Sequence, residues 1–177
     1  MEIQLSPDDA KLYSKLYVSS SDIAFARYCA SVILKKGWHT QPWERRGTIY
    51  QQQAAFTTAL VTAYARPFTK SHGWPSLPKE LTAVYSDQEA ALHKQLIKLR
   101  HTVYAHSDSA GYSIRPWHAE DFSTDIVGAP VMRITSEEAT LFQVMTRKLL
   151  LSMDARRKAL LATTSIRPDV LLSARRK

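Results

Sequence analysis

The residues best equipped for chemistry stand together in the segment Leu99-Arg100-His101-Thr102-Val103-Tyr104-Ala105-His106-Ser107-Asp108. An imidazole titrates near neutral pH, so His106 could take the proton from a ribose 2′-hydroxyl. A guanidinium keeps its charge and grips phosphate through paired hydrogen bonds, so Arg100 could hold a phosphodiester and stabilise charge developing on it. With the 2′-hydroxyl as nucleophile, this chemistry needs no metal. On a helix of about 100° and 1.5 Å per residue, the two side chains stand some 120° apart around the axis and about 9 Å along it. One copy of the pair is therefore poorly arranged alone, and two such helices meeting across a symmetric dimer bring the groups together more easily. The blander alternative is a solvated arginine and a histidine that favours the negative end of a helix dipole.

The element that must position this pair is legible. Ser86-Asp87-Gln88-Glu89 is a capping box, and behind it Leu92, Leu96, Leu99 and Val103 form an apolar stripe at steps of four, three and four. The spacing predicts a helix from Ser86 through about Ala105. Ser6-Pro7-Asp8-Asp9 starts an earlier helix with a capping serine, a proline at the first helical position and two acids. Ser19-Ser20-Ser21-Asp22 could restart a helix or lie within one long one, and Lys35-Lys36-Gly37 is a stop signal. Thr48 to Arg66 reads as another helix, ended by Pro67. Thr135-Ser136-Glu137-Glu138 opens a last long helix to about Ala162. Between residues 107 and 134 the helical period fails, leaving an irregular connection in which Val131 to Ile134 could form a short strand. The expected fold is all-α: an up-and-down bundle of four to five helices, with that long irregular connection before the last helix. Residues 1–162 are expected to form the bundle domain and residues 163–177 a basic tail.

Composition narrows the partners. The chain has 177 residues, 45% of them hydrophobic, enough for a core without disulfides. Its formal charge of +8 favours an anionic partner, nucleic acid being the commonest. Cys29 is the only cysteine and lies among Ala26, Tyr28, Ala30 and Val32, as a small core residue would. No intrachain disulfide can form, the start lacks the pattern of a signal peptide, and no apolar run reaches membrane-spanning length. A cytoplasmic protein without a membrane partner is expected.

Other residues compete for roles. Tyr64 and Arg66 close the second strong helix and could line an RNA groove, the alternative being an aromatic anchor and a helix-end charge. His93 precedes Arg100 by two turns and is expected to be solvated. Trp38, Trp43, Trp74 and Trp117 read as loop residues that either stack on unpaired bases or cap the core. The six histidines show no zinc-protease spacing, so neither a metal site nor a cofactor is expected.

Leu99 to Asp108 resembles the signature of the HEPN superfamily, an arginine, a polar residue, a short spacer and a histidine at the end of a helix in an all-α bundle. The resemblance implies a metal-independent endoribonuclease whose composite site forms between two protomers, leaving a 2′,3′-cyclic phosphate and a 5′-hydroxyl. Carried onto this chain, it makes Arg100 and His106 the catalytic pair and His101 the supporting polar residue, with Tyr104 and Asp108 beside them. It implies RNA as substrate, a homodimer, and an antitoxin or another regulatory protein as partner, in toxin–antitoxin or phage-defence systems. Some toxins of the superfamily carry a modifiable tyrosine two positions after the histidine, where this chain has Asp108. Other members are catalytically silent RNA- or protein-binding modules, which is the alternative function.

Overall fold

The computed structural model describes residues 5–44, 47–104 and 111–162. Four helices dominate: α1 (Pro7–Lys36), α2 (Thr48–Ala65), α3 (Asp87–Leu99) and α4 (Ser136–Ala162). The serine cluster in α1 does not break it. Ser20 and Ser21 donate their hydroxyls to the carbonyls of Leu16 and Tyr17, which keeps them satisfied inside one long helix. Gly37 ends α1 in the left-handed region at φ 65°, its N–H and that of Trp38 closing on the carbonyls of Leu34 and Ile33.

Contacts fix the helix directions. Arg27 meets Gln143 and Tyr13 meets Arg157, so α1 and α4 run antiparallel. Tyr64 meets His93 on α3, whereas Glu89 and Gln95 of α3 meet Lys148 and Glu138 of α4. Asp22 of α1 pairs with Arg66 and Trp38 packs on Phe56, so α2 runs against α1, and adjacent helices alternate in direction around a core that includes Leu16, Ile23, Leu60, Leu96, Phe142, Met145 and Leu149. Cys29 is buried in this core, as expected.

Two features depart from the expected fold. The connection before α4 is not irregular. It holds an antiparallel hairpin of β1 (Ser113–Ala119) and β2 (Phe122–Gly128), turning through Glu120 and Asp121. The molecule is therefore mostly helical with a small sheet, not all-α. The strands escaped notice because apolar residues fall on both faces, so no period-two alternation marks them. Pro116 also argues against a strand, and the turn has no glycine. Trp117 consequently lies in a strand rather than a loop. The expected strand at Val131 to Ile134 does not form: Arg133 N–H closes a tight turn on the Val131 carbonyl at 2.9 Å.

The second departure is at the end of α3. Arg100–Tyr104 form a π-helical turn rather than continuing the α-helix. The Thr102 hydroxyl donates to the Lys98 carbonyl at 3.1 Å, and the β-branched pair Thr102 and Val103 crowds the preceding turn. Tyr104 meanwhile packs against the core.

Candidate functional site

The site is built from α3 upward. Ser86 N–H donates to the Glu89 carboxylate at 2.8 Å and the Glu89 N–H to the Ser86 hydroxyl at 3.4 Å, closing the capping box. Glu89 is buried and also receives Lys148 Nζ from α4 at 2.8 Å. Burial pushes the Glu89 carboxyl up, but the hydrogen bonds from Lys148 and Ser86 outweigh it and hold the group below the usual carboxylate range. Leu92 and Leu96 are buried, and Leu99 packs at the edge of the core. The start and inner face of α3 are thereby fixed, and its far end is presented where the helix widens into the π turn.

At that end the Arg100 guanidinium lies 3.2 Å from His101 Nδ1. Arginine can only donate, so Nδ1 accepts and the proton of a neutral His101 sits on Nε2. This contact holds the Arg100 head beside an exposed imidazole. Lys94, Lys98 and His101 follow one another at steps of four and three on the exposed side of the same element. None of the ion pairs among the described residues engages Lys94, Lys98 or Arg100. Together they give the end of α3 a solvent-facing cationic strip. The lysines are absent from the residues singled out in the sequence, although their spacing is a signal that could have found them, whereas the π turn has no signal in composition or periodicity.

Tyr104 is half-buried, and burial with Tyr50 and Glu138 nearby pushes its phenol up to about 12. It is neutral at working pH and anchors the π turn. His106 and Asp108 lie outside the described residues, as do Arg45, Arg46 and the tail at 163–177.

Tyr64 is fully buried, which removes it from any surface that RNA could touch. Its ring packs against Phe68, His93 and Phe142 with centroids 5.1–5.8 Å apart. Its hydroxyl lies 2.8 Å from His93 Nδ1 and 3.3 Å from the Tyr85 hydroxyl. His93 is accordingly half-buried rather than solvated, and burial with the charge of Lys94 holds its pKa below the usual histidine value. Arg66 is exposed and pairs with Asp22 of α1 at 2.9 Å. Of the tryptophans, Trp38 caps the core edge-on to Phe56, while Trp43 and Trp74 are exposed.

Among the described residues no group of three His, Cys, Asp or Glu side chains gathers to hold a metal ion. No helix among them is long and apolar enough to cross a membrane. Comparison with family models, curated proteins and solved structures finds no match for the chain.

Proposed function

We propose that the chain is a metal-independent endoribonuclease of HEPN type, acting as a homodimer in the cytoplasm within a toxin–antitoxin or phage-defence system. One observation carries the proposal. Arg100 emerges on a π turn at the end of a firmly capped helix, its guanidinium held by the adjacent His101 and free of any described carboxylate. π turns recur at functional sites because they re-aim side chains out of the regular ladder.

In this mechanism Arg100 binds the scissile phosphate and stabilises the charge that builds on it. His101 accepts from Arg100 and keeps it extended. His106 removes the 2′-hydroxyl proton, and the 2′-oxygen attacks the adjacent phosphorus. The 5′-oxygen leaves with a proton from a second acid, supplied when two protomers face each other. The products are a 2′,3′-cyclic phosphate and a 5′-hydroxyl.

Arg100→Ala or His106→Ala is expected to abolish RNA cleavage with the helical circular dichroism unchanged. Cleavage retained by both variants overturns the assignment. A second reading rests on Lys94, Lys98 and His101, whose exposed spacing suits phosphate contacts without cutting. A pure binding module retains salt-sensitive RNA affinity and makes no new RNA ends.

A further inference from the structure

The hairpin presents two faces of different chemistry. Its register puts Arg115, Trp117, Phe122 and Ile126 on one side and Pro116, His118, Ser123 and Asp125 on the other. The second side holds the acid, and its polar groups engage each other, with His118 Nδ1 lying 2.7 Å from the Ser123 hydroxyl. The first side has no such closure. Trp117 and Phe122 are 45% and 60% exposed, and Arg115 is exposed and engaged by none of the ion pairs among the described residues. Scattered exposed apolar side chains need no explanation, but two rings and a guanidinium gathered on one open strand face do.

Trp117 and Phe122 are diagonal neighbours across the ladder, with ring centroids 6.2 Å apart and planes inclined at 60°. One flat guest cannot lie against both planes, so the pair suits two successive flat groups splayed apart. Unpaired nucleobases are such groups: they stack on exposed aromatic rings, and a guanidinium beside the rings takes the phosphate between them. An apolar protein surface in that place would leave Arg115 without a counter-charge, whereas a polyanion supplies one. Charge also runs along the hairpin, from Glu120 and Asp121 in the turn to Arg115 nearer the root. A phosphate backbone on this face is therefore drawn away from the tip and toward the bundle.

The hairpin is rooted at the end of the bundle that carries Arg100. Adjacent helices alternate in direction, so α3 ends and α4 begins at that same end. The two legs of the hairpin come together at Gly111 and Pro130, where a Cβ on the glycine would lie 3.2 Å from the proline Cγ. Two residues on, the Met132 N–H donates to the Tyr50 hydroxyl at 3.3 Å. Tyr50 in turn stands near Tyr104, the last residue of the π turn that begins with Arg100.

We propose that the Arg115–Trp117–Phe122 face of the hairpin is a stacking platform for unpaired bases, so that the RNA this chain takes is single-stranded rather than duplex. In a duplex the base faces are already stacked on one another and offer nothing to the rings. The platform rests on the reading of the chain as a ribonuclease and names the class of RNA. Its test is chosen to give an answer whether or not Arg100 cuts.

The test is binding of a short labelled 2′-O-methyl RNA to the full chain, measured by fluorescence anisotropy. This probe lacks the nucleophilic hydroxyl and reports binding alone. The single strand is expected to bind about tenfold tighter than its duplex at the same salt. Trp117→Leu and Phe122→Leu keep apolar bulk on the strands, and each should weaken the single strand about tenfold while leaving the duplex unchanged. Arg115→Gln should make the log–log salt slope shallower by about one. Phe122→Tyr, which keeps a ring, and Val127→Thr, on the opposite face, should bind like the wild type. The single strand should also quench tryptophan fluorescence, and less so in Trp117→Phe, which still binds. Equal affinity for single strand and duplex overturns the proposal, as do leucine variants that bind like the wild type or quenching unchanged in Trp117→Phe. A loss in Val127→Thr as large as in Phe122→Leu overturns it too, by placing the effect in hairpin folding, and so does binding to anionic vesicles with none to the single strand. Ring-dependent binding without any cleavage of ordinary RNA keeps the platform and removes the catalytic reading. Arg100-dependent cleavage with unaffected leucine variants removes the platform alone.

Discussion

Arg100 is the side chain on which the proposed chemistry turns, and its geometry makes specific demands. A guanidinium can grip phosphate through two parallel bonds where an ammonium cannot, so Arg100→Lys is expected to lose most of its cleavage rate while keeping RNA affinity. Steady-state rates beside binding isotherms check this. His101→Ala, by releasing the guanidinium from its 3.2 Å partner, is expected to lower the rate by about tenfold without abolishing it, the scale of a weakened positioning contact. A different residue speaks to stability. Thr57 is buried on α2 and its hydroxyl has no partner among the described residues. Thr57→Val keeps the shape and removes the orphan group, so urea unfolding should show a gain of about 1 kcal/mol.

At the scale of elements, α3 is held by its cap at one end and by aromatic contacts along its flank. Ser86→Ala removes one half of the capping box and is expected to cost about 1 kcal/mol in urea unfolding. The flank brings pH dependence. His93 packs against Tyr64 and Phe68 with a pKa below its unfolded value, so the unfolded chain binds the proton more readily. Its contribution to stability is present above about pH 6.5 and is lost as pH falls below that value. Glu89, also held below its usual value, adds a second loss as pH falls below about 4.5. The melting temperature should decline on acidification from pH 7 to 5, and His93→Phe should flatten that part of the curve. How much of this was legible in the sequence follows from what each signal depends on. Ser86 with Glu89, Thr135 with Glu138 and the stop at Gly37 are local devices, and each forms where its residues predict. Between the two roles open to Tyr64, burial selects the aromatic anchor, and that burial depends on Phe142, nearly 80 residues away along the chain. His93 is half-buried rather than solvated because Tyr64, Phe68 and Tyr85 close around it. The hairpin was missed because neither of its faces is covered, so the alternation that reveals a half-buried strand never had cause to arise.

For the molecule as a whole, charge and shape are linked. A net +8 with an exposed cationic strip at the end of α3 should make RNA binding fall steeply with salt, with a log–log slope shallower by about one for each cation removed, as in Lys94→Ala or Lys98→Ala. Retained slope in both variants places the phosphate contacts elsewhere. The proposed mechanism takes its second acid from a second copy of the chain. Cleavage by the wild type should therefore rise more than linearly with protein concentration below the dimer dissociation constant. Mixing Arg100→Ala with His106→Ala chains tests whether the pairs act across the interface.

The most direct measurement is the chemistry of the RNA ends. Purified protein incubated with RNA in excess chelator is expected to leave 2′,3′-cyclic phosphates and 5′-hydroxyls, with neither appearing for Arg100→Ala. Absence of cleavage by the wild type, or 5′-phosphate ends formed only with added divalent metal, would contradict a 2′-hydroxyl mechanism built on Arg100 and His106.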